Sequence, residues 1–245
     1  DYIADVTGMT VDYSVCTGDN FNKEYILHVV DEVEAGVYDA IVFFNSSHGF
    51  NYQNTVSQHT FFVAHPTESG SMSQEEFVTY GISLEKEIFN TLRSKGSPRV
   101  LVFSESCNQA INMEVPNMYK TMNLNIAKRL KELFLGPPVE MISSSSEYGQ
   151  YSYTDNDMGG IYVNSLLHAM NDVTTKCDKA SWELVMSKTQ NYVQQYAENL
   201  DGGQTSIYDI NDATPIKLEE SPRRKKEENG GYEIGRHTSE LQSPV

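Results

Sequence analysis

The sequence predicts an α/β fold, a three-layer sandwich in which a mostly parallel sheet is flanked by helices. Short apolar runs alternate along the chain with amphipathic segments of about ten to fifteen residues, which is the pattern of successive strand and helix units. Two of the runs are apolar at nearly every position, as in strands that are covered on both faces. Polar and reactive side chains follow directly after these two runs.

The first predicted elements come before the first buried strand. Residues 9–16 (MTVDYSVC) alternate apolar and polar side chains, which predicts a strand. Residues 21–34 carry one apolar stripe at helical spacing, and Asp19 is the predicted N-cap of this helix. Residues 39–45 (DAIVFFN) then form the first strand that we expect to be covered on both faces.

A long polar stretch separates the two buried strands. Residues 46–80 are irregular, with one short predicted strand at 61–64. Residues 83–95 form a predicted helix that Gly and Pro residues close, and residues 100–103 form the second buried strand.

The remaining elements continue the alternation of helices and strands. They are predicted as a helix at 123–135, a strand at 139–143, helices at 158–171 and 181–200, and a last strand at 206–210. Beyond this point the chain has little apolar content and dense charge, which is typical of disorder. We therefore expect one domain over residues 1–216 and a disordered charged tail over residues 217–245.

The charge of the chain disfavours two classes of partner. The formal net charge is −16, and residues 1–216 carry the whole excess, with 12 Lys and Arg against 28 Asp and Glu. Such a body repels nucleic acid and anionic membrane surfaces. No run approaches the eighteen or so apolar residues of a membrane span. We therefore expect neither nucleic acid nor a membrane as a partner.

The three cysteines, Cys16, Cys107 and Cys177, show no regular spacing. A disulfide framework or a zinc site of paired cysteines is therefore not indicated. Sparse unpaired cysteines and the lack of a visible leader favour the cytoplasm. The histidines show no metal-ligand spacing, so we expect no metal site.

The residues that follow the two buried strands suggest a reactive site. In open α/β sheets, ligands bind outside the carboxyl ends of the strands. The first strand leads into His48 and Gly49, and the second leads into Glu105 and Cys107. If the two strands are parallel neighbours, His48 and Cys107 emerge on the same rim. Their interval of 59 positions is close to the interval of about fifty in one cysteine-protease arrangement.

These motifs carry a resemblance to a known family. Ser-Ser-His-Gly at residues 46–49 and Glu-Ser-Cys at residues 105–107 resemble the motifs of the caspase-like cysteine peptidases of family C14, especially the metacaspase and bacterial caspase-domain branch. The order of elements over residues 9–211 is similar too. Ser47 stands where the branch commonly has glycine, and Asn-Gln-Ala follows Cys107 where His/Asn-Ser-Gly is more usual. The family's opening strand has no counterpart in this sequence.

The resemblance implies a mechanism and its residues. Cys107 would be the nucleophile, and His48 would take its proton and later protonate the leaving amine. The backbone N–H groups of Gly49 and Cys107 would form the oxyanion hole, with glycine leaving room for close approach of the substrate. The family works with a dyad, so no third catalytic acid is assigned. Calcium activation occurs among its relatives, but no calcium site is visible in this sequence.

Glu105 predicts the substrate class. Side chains two apart on an extended strand point the same way, so Glu105 is expected to face the cleft beside Cys107. In metacaspases the matching acid receives arginine or lysine, which implies protein or peptide substrates that are cleaved after a basic residue. The resemblance adds Ser144, Glu147 and Asp155 as weaker candidates for the pocket wall. A solvent-facing Glu105 is the alternative.

Two other functions stay open. The chain could be a caspase-like scaffold without catalysis, acting as a binding or signalling module, which the unusual residues after Cys107 favour. It could also be an unrelated flavodoxin-like binding domain in which Cys107 is a core residue.

Overall fold

The fold was analysed in a computed structural model that describes residues 2–37, 39–52, 57–65, 72–107, 109–110, 124–155, 159–200 and 202–211. The predicted charged tail at 217–245 and the domain boundary at 216 lie outside the described residues. The described elements follow in chain order. They are α1 (Tyr2–Thr7), a 3₁₀ turn (Gly18–Asn20), α2 (Lys23–Asp31), β1 (Ile41–Ser47), β2 (Gly49–Phe50), β3 (Phe61–Val63), α3 (Gln74–Tyr80), β4 (Gly81–Ser83), a π-helical segment (Leu84–Phe89) that runs into α4 (Asn90–Arg93), β5 (Arg99–Ser106), β6 (Gln109–Ala110), α5 (Leu124–Leu135), β7 (Val139–Ser144), β8 (Tyr153–Asp155), β9 (Gly159–Gly160), α6 (Ile161–Lys176), α7 (Trp182–Ala197) and β10 (Ile207–Asn211).

The main sheet has the order β1-β5-β7-β10. β1, β5 and β7 are parallel neighbours, and β10 pairs with β7 in the antiparallel direction. Parallel neighbours need crossover connections, and the helical segments between these strands supply them. The carboxyl ends of β1 and β5 therefore meet at one rim, as the sequence predicts.

Successive side chains of the central strand β5 point alternately into two apolar layers, one on each face of the sheet. Leu101 and Phe103 point to one face, where they join a cluster that α5, α6 and α7 cover. Val100 and Val102 point to the other face, where they pack with α2, the π-helical segment and the small strands. The predicted α/β sandwich with a mostly parallel sheet between helices is therefore confirmed.

Two small sheets lie at the rim of the main sheet. One has the antiparallel order β2-β3-β4, and it begins at the residue that follows His48. The other has the order β6-β8-β9; β6 begins two residues after Cys107, and β9 leads directly into α6. Both small sheets are thus attached to the two predicted reactive residues.

The predicted strand at residues 9–16 is wrong. These residues form no strand or helix, and Val11, Tyr13 and Val15 are 48–65% exposed. Alternation alone does not make a strand, because strand stability comes from a partner strand and a packed face. No described strand pairs with this segment.

The prediction that both faces of β1 are covered is also wrong. Ile41 packs into the apolar layer of α2, but Val42 and Phe44 on the opposite face are 52% and 49% exposed. Among the described strands of the main sheet, β1 pairs only with β5, so one of its two edges has no partner there. β1 is therefore an edge strand with a partly open apolar face.

The N-cap predicted for the first amphipathic helix, Asp19, is wrong. Asn22, rather than Asp19, caps α2, and its side-chain oxygen accepts from the backbone N–H of Tyr25 at 2.9 Å. The helix predicted at residues 181–200 is α7, and Ser181 caps it by accepting from the N–H of Leu184.

Candidate active site

The pairing of β1 with β5 brings the two predicted catalytic residues to one place. Ser47 is the register partner of Ser106, so the next residues along the two strands are His48 and Cys107. The backbone N–H of Cys107 donates to the carbonyl of Ser47 at 3.1 Å, and the Cys107 thiol donates to the carbonyl of Gly49 at 2.6 Å. Cys107 is therefore held between the two chain neighbours of His48.

The Cys107 thiol is in a neutral resting state. The side chain is half-buried, and this burial raises the pKa of the thiol. The residue also has a φ of 77°, which is left-handed and unfavourable for a residue with a Cβ. The resting sulfur is thus a hydrogen-bond donor, and it becomes a nucleophile only after it loses the proton.

The side chain of His48 is exposed at the rim. Its backbone is fixed, because its carbonyl accepts from the N–H of Val63 at 2.8 Å and from the Ser47 hydroxyl at 3.1 Å. Between these two described residues, no hydrogen bond joins the imidazole of His48 to the sulfur of Cys107.

Of the two residues expected to form the oxyanion hole, Cys107 has its backbone N–H already bonded, and Gly49 is closely packed at its Cα. The Cys107 N–H already donates to Ser47, so it could serve an oxyanion only after leaving that oxygen. A Cβ at Gly49 would lie 2.4 Å from the Cβ of Ser106 and 2.9 Å from the Thr60 hydroxyl. Glycine is thus required here by contact between the small sheet and β5, and not only by the approach of a substrate.

Glu105 is buried inside the protein, with 1% of its surface exposed, which excludes the solvent-facing alternative. The backbone N–H groups of Tyr162 and Val163, at the start of α6, donate to its carboxyl group. Among the described residues, its Oε1 atom has no hydrogen-bond partner. Burial therefore raises the pKa of this carboxyl to about 7, although the two N–H groups act in the opposite direction.

Gly160 covers the carboxyl group of Glu105. A Cβ at this position would lie 1.4 Å from Oε1, so the backbone of β9 runs directly over the acid. The predicted direction of Glu105 relative to Cys107 assumed an extended strand through both residues. β5 ends at Ser106 and Cys107 is left-handed, so the alternation of side chains does not extend to Cys107.

The three weaker pocket candidates lie in different surroundings. Ser144 ends β7 and is buried, and its hydroxyl is 3.0 Å from a ring nitrogen of His59. Glu147 is exposed in the following turn, where its carbonyl accepts from the N–H of Gln150. Asp155 ends β8, and its backbone pairs with Gly159, next to the residue that covers Glu105.

His59 is a residue of this region to which the sequence assigns no role. Its ring is 3% exposed, and its two nitrogens lie 3.0 Å from the Ser144 hydroxyl and 2.9 Å from Asp209 Oδ2. These partners are 85 and 150 positions away along the chain, so no local spacing could have indicated them. The only local signal is that His59 comes two residues before an apolar strand.

The described residues show neither a metal cluster nor a membrane-spanning helix. Among the described residues, no group of three or more His, Cys, Asp or Glu side chains could hold a metal ion. None of the described helices combines the length and the apolar character that crossing a bilayer requires.

Comparison with known proteins gives the family of the chain. The family model described as the caspase domain of C14 peptidases matches residues 6–218, which span the sheet, both apolar layers and the rim that carries His48 and Cys107. A search of curated proteins finds no match to the chain. C14 is a family of cysteine-type peptidases, and its substrates are proteins. The chain therefore belongs to the caspase domain family of C14 peptidases.

Proposed function

We propose that the protein is a cysteine endopeptidase in which Cys107 and His48 form the catalytic dyad. The observation that carries the proposal is the register of β1 and β5, which makes the two residues neighbours and holds Cys107 between the carbonyls of Ser47 and Gly49. A thiol and an imidazole on adjacent strand ends are the groups that amide hydrolysis needs.

The proposed reaction begins with a change at Cys107. The thiol leaves the carbonyl of Gly49 and gives its proton to His48, and the thiolate attacks the carbonyl carbon of the scissile peptide bond. The N–H groups of Gly49 and Cys107 stabilise the oxyanion, which requires Cys107 to release the carbonyl of Ser47 as well. The C–N bond then breaks, His48 protonates the leaving amine, and water hydrolyses the thioester, so that Cys107 recovers its proton.

Glu105 is proposed to select substrates with arginine or lysine before the scissile bond. Its buried Oε1 lacks a hydrogen-bond donor among the described residues, and a guanidinium can donate two parallel N–H groups to a carboxylate. A cation beside this carboxyl would also favour its ionised form. Because Gly160 covers Oε1, entry of the substrate side chain requires movement of the β9 backbone. Glu147 and Asp155 remain candidates for the pocket wall, whereas Ser144 is fully buried against His59.

Peptide cleavage tests the proposal. Peptides with Arg, Lys or Asp before a fluorogenic bond are offered, with calcium and with a chelator, to the wild type, to Cys107→Ala and to His48→Ala. Cys177→Ala is the matched control, because Cys177 is also a half-buried free cysteine but lies after α6. We expect cleavage after Arg and Lys by the wild type and the control only. Equal activity of Cys107→Ala would contradict the dyad, and cleavage after Asp alone would contradict the role of Glu105.

A second candidate function is a caspase-like scaffold that binds partners without catalysis. Three observations favour it, namely the engaged Cys107 N–H, the thiol bonded to Gly49, and the lack of a hydrogen bond between the described His48 and Cys107 side chains. A folded wild type that cleaves none of the peptides under any condition would support the scaffold.

A further inference from the structure

The ring of His59 connects two parts of the candidate site that are far apart in sequence. It precedes β3, which pairs with β2, and Val63 of β3 donates its N–H to the carbonyl of His48. On the other side, its partners Ser144 and Asp209 belong to β7 and β10 of the main sheet. The buried His59 ring therefore links the β2-β3-β4 sheet, which holds the backbone of His48, to strands β7 and β10 of the main sheet.

The direction of each bond of the His59 ring follows from the partner and from the charge of the ring. A carboxylate only accepts hydrogen bonds, so Nε2–H donates to Asp209; Nδ1 accepts from the Ser144 hydroxyl when the ring is neutral and donates to it when the ring is protonated. The arrangement contains the three residue types of a serine hydrolase, but the Ser144 side chain is fully buried, so no substrate could reach it. The network is thus suited to holding backbone segments, and not to nucleophilic attack.

The same network also continues to Cys107. The residue after Ser144 is Ser145, whose N–H donates to the carbonyl of Ser104 at 2.9 Å. The hydroxyl of Ser145 accepts from the N–H of Ser106 at 3.3 Å, and Ser106 precedes Cys107. The end of β7 therefore touches both the strand that leads to Cys107 and the ring that holds the sheet of His48.

The backbone of His59 is also held. Its N–H donates to the hydroxyl of Ser57 at 3.2 Å, and its carbonyl accepts from the side-chain amide of Asn51 at 3.3 Å. Ring and backbone are thus fixed by different segments, so the ring cannot turn without breaking several bonds. Asp209 is the solvent-facing end of the network, with a side chain that is 70% exposed.

We propose that His59 is a positioning residue for the peptidase, which sets the separation between the His48 imidazole and the Cys107 sulfur through its contacts with Ser144 and Asp209. The inference rests on the proposed dyad and names a residue outside it. A displacement of about 1 Å at a catalytic group can lower the rate of the chemical step about 100-fold without weakening substrate binding. The role therefore predicts a loss in kcat with little change in KM.

Two variants of His59 remove its two side-chain hydrogen bonds, to Ser144 and to Asp209, one at a time. His59→Asn keeps a polar atom at the place of Nδ1, within reach of Ser144, and loses the contact with Asp209. His59→Gln keeps one at the place of Nε2 and loses the contact with Ser144. We expect His59→Gln to lower kcat about 10- to 100-fold with KM within about threefold, and His59→Asn to retain more activity, because the Ser144 bond leads on to Cys107. Ser144→Ala, which removes one hydroxyl and preserves the fold, should lower kcat as His59→Gln does.

Arg99→Met is the matched control. Arg99 begins β5, and its guanidinium donates to the carbonyls of Leu135 and Gly136, so the variant also loses side-chain hydrogen bonds that tie β5 to a neighbouring element. It lies about 26 Å along the strand from Cys107. At equal melting temperatures, a loss of kcat in Arg99→Met as large as that in His59→Gln and Ser144→Ala would overturn the positioning role.

Alkylation of Cys107 by iodoacetamide distinguishes failure of the inference from failure of the dyad. The rate is measured against pH in a chain with Cys16→Ser and Cys177→Ser, so that one thiol reports. If His48→Ala leaves the rate unchanged, the dyad itself fails, and the role of His59 fails with it. If His48→Ala lowers the rate near pH 7 while His59→Gln and Ser144→Ala do not, only the positioning role fails. The expected result is that all three lower the rate and shift its pH midpoint.

Discussion

Replacement of Glu105 by glutamine should stabilise the folded protein, and the effect should grow with pH. The ordinary pKa of this carboxyl is 4.5, and burial raises its pKa to about 7 in the folded state. Above pH 4.5 the unfolded chain loses the proton, while the folded protein holds it until about pH 7. The folded state thus binds more protons in this window, so the free energy of unfolding of the wild type falls as pH rises.

The size of the effect follows from the two pKa values. Each pKa unit corresponds to about 1.4 kcal/mol, so the ionised carboxylate costs about 3 kcal/mol above pH 7 relative to the protonated acid. Glutamine has nearly the same shape and never ionises. The difference in unfolding free energy between Glu105→Gln and the wild type should therefore increase by about 2 to 3 kcal/mol between pH 5 and pH 8. Any fixed cost of the amide cancels in this comparison.

Urea unfolding at pH 5, 6, 7 and 8 measures this difference. Glu198→Gln is the control, because Glu198 is exposed at the end of α7 and its replacement should give the same difference at every pH. A difference for Glu105→Gln that stays constant from pH 5 to pH 8 would refute the reasoning. It would mean that a cation or water already satisfies Oε1, and the argument for a basic substrate side chain would lose its support.

Four further predictions concern packing, a cap and the thiol. Gly160→Ala should cost about 1 to 3 kcal/mol in urea unfolding, because its Cβ would overlap the carboxyl group beneath it, whereas Gly36→Ala, with its nearest contact at 3.4 Å, should cost little. Gly49→Ala should abolish peptide cleavage while the protein remains folded by circular dichroism, and activity within twofold of the wild type would contradict the close contact with β5. Asn22→Ala should lower the unfolding free energy by about 1 kcal/mol, and an unchanged value would mean that its bond to the first turn of α2 has no net effect. Because burial raises the pKa of Cys107, its alkylation should stay slow at pH 7 and increase in alkaline solution, and a fast pH-independent reaction between pH 6 and pH 8 would contradict a neutral resting thiol.

The rim of the site could be predicted from the sequence because its signals are local. Two apolar runs identify the strands, the parallel arrangement brings their ends together, and the residues that follow are His48 and Cys107. Strand alternation predicts that Glu105 faces the cleft beside Cys107; its burial excludes the solvent-facing alternative, and the direction toward Cys107 stays a prediction. Gly160, which covers Glu105, comes from a separate part of the chain, so the cover could not be anticipated.

Other features depend on partners that a linear pattern does not contain. The alternation at residues 9–16 is real, but no described strand pairs with it, and its apolar side chains remain exposed. The run of β1 is apolar on both faces, yet the layer of α5, α6 and α7 leaves Val42 and Phe44 open. The role of His59 depends on contacts across 85 and 150 positions, which only the folded chain reveals.

The left-handed backbone of Cys107 affects how much energy activation needs. Releasing Ser47 and Gly49 breaks two hydrogen bonds, at about 1 kcal/mol each in net terms. If the release also moves φ from 77° out of the left-handed region, about 1 to 2 kcal/mol is recovered, because the side chain no longer crowds the backbone. In that case the two contributions nearly cancel, so the released form would lie within about 1 kcal/mol of the resting form. A substrate that binds only the released form would then lose less than about tenfold in apparent affinity, and thermal fluctuation alone could prime the thiol.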